Sequence, residues 1–120
     1  MKFDHEKLDV YQVSIEFTTC SFELCKNLSG LHRSARDQLL RASQSVPLNI
    51  AEGNGKRSLP DRKRYFEIAR GSAFECAALM DVLQKTEAIS NDEAQLGKGL
   101  LHRIASMLTK MTEPANPDIA

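Results

Sequence analysis

Several things are missing from this 120-residue chain, and each absence excludes something. No run of 18 apolar residues occurs, so no helix is expected to span a membrane. The amino end carries no charged, apolar, small-residue leader, and the expectation is a cytoplasmic protein. Cysteine occurs three times, as Cys20, Cys25 and Cys76, each within a helical apolar pattern. An odd count in such a setting predicts buried free thiols, not a disulfide framework. Tryptophan is absent, glycine and proline number only six and four, and polar and apolar residues nowhere alternate for long. Strands have little support, and the chain reads as all-α. Net charge is also missing, with 16 basic residues balancing 16 acidic ones.

What is present is helical periodicity over a length suited to one domain. Val10, Val13, Phe17, Cys20, Leu24 and Leu28 step by three or four, predicting a helix from about Leu8 to Leu28. Tyr11, Ile15 and Phe22 add a second stripe. That wide apolar surface fits either a central helix covered by its neighbours or contact beyond the monomer. After Ser29-Gly30, the residues Ala35, Leu39, Ala42, Val46 and Ile50 mark a second helix from Leu31 to Glu52. Pro47 inside it lacks an N–H and predicts a kink. Gly53 and Gly55 are expected to stop it in the left-handed conformation.

Ser58-Leu59-Pro60-Asp61 announces a third helix, whose stripe of Phe66, Ala69, Ala73, Cys76, Met80 and Leu83 runs on to an end near Ile89. Its low-bulk Gly71-Ser72-Ala73 predicts the close approach of a neighbour. Ser90 to Glu93 forms another capping box, and Gly97, Leu101, Ile104, Leu108 and Met111 define the fourth helix. Pro114 and Pro117 close it. The prediction is an up-down-up-down antiparallel four-helix bundle over residues 1–112, with a flexible tail over 113–120.

The zero net charge hides an uneven distribution. Between Lys26 and Arg70 ten basic residues face four acidic ones, a net of +6, and the rest of the chain carries −6. Such a window suits phosphate contacts, which carry no base information. The alternative is a solvated face with local pairs such as Lys63 with Glu67. Arg41, Lys56, Arg57, Arg62, Lys63, Arg64 and Arg70 are the candidate contacts.

Catalysis finds little support. No Glu-x-x-His pair for a di-iron bundle is present, and His5, His32 and His102 stand far apart. The Arg-x4-6-His pattern of helical ribonucleases is missing, as is the spacing of a phosphate-cradling Gly-rich loop. Cys20 and Cys25 make a poor metal pair. A non-enzymatic protein with no cofactor and no metal is expected.

Gln38, Arg41-Ala42, Ser45-Val46, Asn49-Ile50-Ala51-Glu52-Gly53, Arg57-Ser58, Tyr65-Phe66, Ala69, Gly71-Ser72 and Glu75 together resemble the signature of a bacterial family. It is the four-helix-bundle family of proteins encoded in intervening sequences of 23S ribosomal RNA genes. The opening His5 to Gln12 resembles that family's amino end, so the likeness extends to about Met111. A Phe-Pro-x-x-Glu-like segment common between helices one and two is replaced here by "NLSGLHRSARDQ". The resemblance implies a homo-oligomer, a ring of five. It also implies a fold similar to accessory proteins of diversity-generating retroelements, which bind nucleic acid and associate with a reverse transcriptase.

Against that background Asn49, Glu52, Gly53, Gly71, Ser72 and Glu75 read as a structural motif. Asn49 and Glu52 are expected to meet backbone or arginine groups near Gly71-Ser72, with Arg41 or Arg70 as partner. Two functions remain open: a nucleic-acid-binding accessory protein, and an oligomeric scaffold that binds a partner protein.

Overall fold

A computed structural model describes residues 1–114. The tail expected from 113 onward therefore lies, from 115, outside the described residues. A short 3-10 turn, Asp4–Lys7, precedes α1 (Asp9–Cys25). A second 3-10 turn, Gly30–His32, leads into α2 (Arg33–Gly55), followed by α3 (Leu59–Lys85) and α4 (Asn91–Thr112). The fold is all-α, with four helices and no strand among the described residues.

Contacts between helices fix their directions. Thr18 meets Ser43 and Cys25 meets Arg36 across α1 and α2. Ser45 meets Ser72 and Asn54 meets Arg62 across α2 and α3, while Lys98 meets Asp81 and Arg70 meets Thr109 across α3 and α4. In each pair a later residue on one helix faces an earlier one on the next, so neighbours in sequence run in opposite directions. Most of the expected stripe positions fill the core, with Phe17, Leu39, Val46, Ile50, Met80, Leu83, Ile104 and Leu108 fully buried, whereas Met111, expected on the α4 stripe, is 37% exposed at the end of the helix.

The second stripe of α1 behaves differently. Ile15 and Phe22 are 40% and 42% exposed, so α1 sits at a corner against α2 and α4 and is not a covered central helix.

The end of α2 corrects another expectation. Gly53 does not stop the helix, which continues through it to Gly55; left-handed backbone among the described residues occurs at Gly30 (φ 58°) and Glu87 (φ 61°). Gly53 is buried against α3. A Cβ there would lie 2.8 Å from Phe66 Cε1 and 3.1 Å from Tyr65 Cβ, so the position needs glycine for closeness, not for a turn.

Gly71 is the reverse case. It is exposed, and nothing approaches within 4 Å of its would-be Cβ, so it admits no neighbour within the monomer.

The two expected capping boxes differ, since at Ser58 only the serine's half forms. Ser58 Oγ accepts from the Asp61 N–H at 3.2 Å, and Ser90 with Glu93 closes a reciprocal box. At the other end α3 stops at Lys85, four residues before Ile89. The Ala88 N–H donates to the Leu83 carbonyl at 2.8 Å and the Glu87 N–H to the Gln84 carbonyl at 3.0 Å. This is a Schellman ending with glutamate in the place glycine usually takes.

Candidate nucleic-acid interface

The α2–α3 junction is held by an arginine. Arg62 Nη1 donates to the carbonyls of Asn54 (2.7 Å) and Lys56 (3.2 Å), and Nη2 donates to Asn54 Oδ1 at 3.3 Å. The last turn of α2 leaves carbonyls without helical partners, and a guanidinium supplies donors and a positive charge where the helix dipole is negative. Arg62 is thus half-buried and committed to the fold, and it leaves the set of phosphate candidates.

Around this clip the other cations project outward. Lys56 Nζ and Arg64 Cζ lie 5.1 Å and 5.2 Å from the Tyr65 ring centroid, both within cation–π reach. Lys56 is 3.7 Å from Glu52 and Arg64 is 4.0 Å from Asp61, exposed pairs of the kind that contribute little. Arg57 and Lys63 are exposed and pair with no carboxylate among the described residues. Lys63 therefore does not form the i,i+4 pair with Glu67. Periodicity alone did not reveal Tyr65 as the ring that holds Lys56 and Arg64 or Asn54 as the acceptor for Arg62, because both roles depend on how α2 meets α3.

The remaining candidates lie elsewhere. Arg41 is exposed on α2, fifteen residues and so about 22 Å along the helix from Lys56. Arg36 binds Asp37 and the Leu28 carbonyl, and Lys26 pairs with Glu23, all toward the opposite end. Arg70 turns to α4, with its Nε donating to Thr109 Oγ1 at 2.8 Å and its guanidinium over Phe74. The +6 window is continuous in sequence but divided in space. Beside the Arg62 clip, Lys56, Arg57, Lys63 and Arg64 share the junction.

The structural motif is also divided. Asn49 Nδ2 donates to the Ser45 carbonyl (2.8 Å) and Oγ (3.0 Å), and Ser45 Oγ hydrogen-bonds Ser72 Oγ at 2.8 Å. This joins α2 to α3 near Ser72 as expected. Glu52 and Glu75, however, are exposed, Glu52 faces Lys56, and neither Arg41 nor Arg70 takes part.

All three cysteines are free. Burial raises the thiol of Cys76 to about 12, helped by Glu75. Burial first, then Glu93 and Glu16, raises Cys20, and burial raises Cys25 against the opposing pull of Arg36. Among the described residues no cluster of three or more metal-ligating side chains forms, and no helix is long and apolar enough to cross a membrane.

An all-α fold of four helices with a cationic α2–α3 junction defines a class of small helical protein. Within that class the chain belongs to the 23S rRNA-intervening sequence protein family, whose sequence model matches residues 6–110. It is similar in fold to a crystal structure of a protein with unknown function from the S23 ribosomal protein family of Bacteroides thetaiotaomicron. The two share 24% identity at a TM-score of 0.82, covering 88% of this chain and 99% of that one. None of the curated proteins matches this chain.

Proposed function

We propose that this protein is a non-enzymatic, cytoplasmic accessory protein that binds RNA or DNA by its phosphates through Lys56, Arg57, Lys63 and Arg64. The observation that carries the reading is the junction itself: four outward cations on one short stretch, two of them without a carboxylate partner among the described residues. Contacts of this kind release counterions, so four per copy would give a log–log salt slope of about −3.6 on duplex DNA. Fluorescence anisotropy with a duplex and a structured RNA across a salt series tests it. Little base preference and a steep slope are expected, with binding abolished when all four residues become Glu. A wild-type chain that ignores both polymers at low salt would refute the proposal.

A second reading rests on Ile15 and Phe22, which leave an apolar stripe of α1 exposed. It is an oligomeric scaffold, a ring of five by the family resemblance, that holds a partner protein such as a reverse transcriptase. In a ring the junctions would also repeat, and multivalency would strengthen weak single contacts. Light scattering on wild type and on Phe22→Glu tests the assembly: a multimer that falls to monomer supports it, and a monomeric wild type removes it.

A further inference from the structure

Arg70 does not belong with the junction, and its surroundings have a chemistry of their own. It contacts Thr109 and Phe74, two residues that line an apolar groove of about 520 Å³ between α3 and α4, without itself lining it. Phe74, Ala77, Leu101 and Ala105 form the apolar length of this groove. Phe74 is 51% exposed, a large aromatic surface left to solvent. The volume lies in the range of small-molecule sites, which are mostly apolar with a few placed polar groups.

The charges are placed asymmetrically. At one end stand Arg70 and Lys110, and neither pairs with a carboxylate among the described residues. Arg70 is already oriented. Its Nε is held by Thr109 Oγ1 at 2.8 Å, and its Cζ lies 4.8 Å from the Phe74 centroid. Both terminal nitrogens remain available for a planar, two-oxygen anion. At the other end, twelve residues and about 18 Å along α4 from Lys110, Lys98 is answered by Asp81 at 2.7 Å. Glu113, the one acid lining the groove, stands at the Arg70 and Lys110 end, three residues past Lys110, and leaves a net charge of +1 there against zero at the Lys98–Asp81 end.

We propose that this groove binds a medium-chain carboxylate, an amphiphile with its head on Arg70 and Lys110 and its acyl chain along Phe74, Ala77, Leu101 and Ala105. An apolar channel whose net positive charge lies at a single end, two cations against Glu113, matches one anionic head and one apolar tail. An acidic helix from another protein would instead be matched by free cations along the whole length, and at the far end the cation is neutralised. The inference stands apart from the nucleic-acid reading, because it uses none of the four junction residues.

Titration calorimetry on the full chain tests it, with dodecanoate, dodecanol and dodecyltrimethylammonium as probes below their micelle-forming concentrations. One dodecanoate per chain is expected, with the cationic probe at least tenfold weaker. Arg70→Gln with Lys110→Gln should weaken dodecanoate at least tenfold. Should Arg70→Gln disturb folding through its lost Thr109 and Phe74 contacts, Lys110→Gln alone repeats the charge test, and Ala105→Trp blocks the tail without touching the head. Arg57→Glu with Lys63→Glu should leave dodecanoate affinity unchanged, so the two readings fail separately. Equal affinity for all three probes, no dodecanoate binding, or full affinity in the charge variants would overturn the assignment. So would displacement of dodecanoate by an acidic amphipathic peptide or by a second copy of the chain.

Discussion

Gly53 and Gly71 look alike in sequence and face opposite environments. A methyl at Gly53 would push into the Phe66 ring, which is held in the core, so Gly53→Ala should destabilise by about 1–3 kcal/mol despite its better helix propensity. Gly71 meets open space, and Gly71→Ala should stabilise the monomer by up to about 1 kcal/mol. Denaturant unfolding of the two variants checks both signs. If Gly71→Ala instead lowers stability, another copy covers that surface. Nothing in the order of residues distinguishes the two glycines; what differs is that one lies where α2 touches α3 and the other on the outward side of α3. Lysine and arginine show the same limit. Arg62 and Lys63 are adjacent, yet one closes the carbonyls of α2 and the other points to water.

At the scale of elements, α2 shows how a local defect is answered from far away. Pro47 has no N–H, so the Ser43 carbonyl loses its helical donor. The hydroxyl of Thr18 on α1 takes that place at 3.0 Å while also reaching the Ser14 carbonyl at 2.8 Å. Thr18→Val should therefore cost about 1–3 kcal/mol by leaving a buried carbonyl unpaired. In a Pro47→Ala background the restored backbone donor should remove much of that cost, and a double-mutant cycle measures the difference. An equal cost in both backgrounds would show that Thr18 does not serve the Ser43 carbonyl. Helix starts were legible because Ser58 and Ser90 carry their signals within four residues. The close of α3 was not, because Glu87 adopts a left-handed backbone without the glycine that announces one.

The whole molecule sets the behaviour of the thiols. Cys76 is buried from all sides, and its pKa rises from the ordinary 9.0 to about 12. A thiol that holds its proton more tightly when folded supports the fold fully below the unfolded value. That support declines as pH climbs from 9.0 toward about 12. Wild-type stability should consequently fall across this interval more steeply than that of Cys76→Ala, as read from denaturant midpoints in a pH series. Matching slopes would show that Cys76 ionises as readily folded as unfolded.

Helix number, capping and buried stripes were written locally, since a helix face repeats every three or four residues and a cap acts within one turn. The four-helix architecture and the core followed from that alone. Where the cations gather was decided only when α2 folded back on α3. That step split one basic stretch into a junction of four side chains, an internal clip at Arg62, a distant Arg41, and an Arg70 facing α4. Local patterns determine which side chains share a helix face, whereas distances between charges on different helices are set by packing, which no short stretch of chain contains.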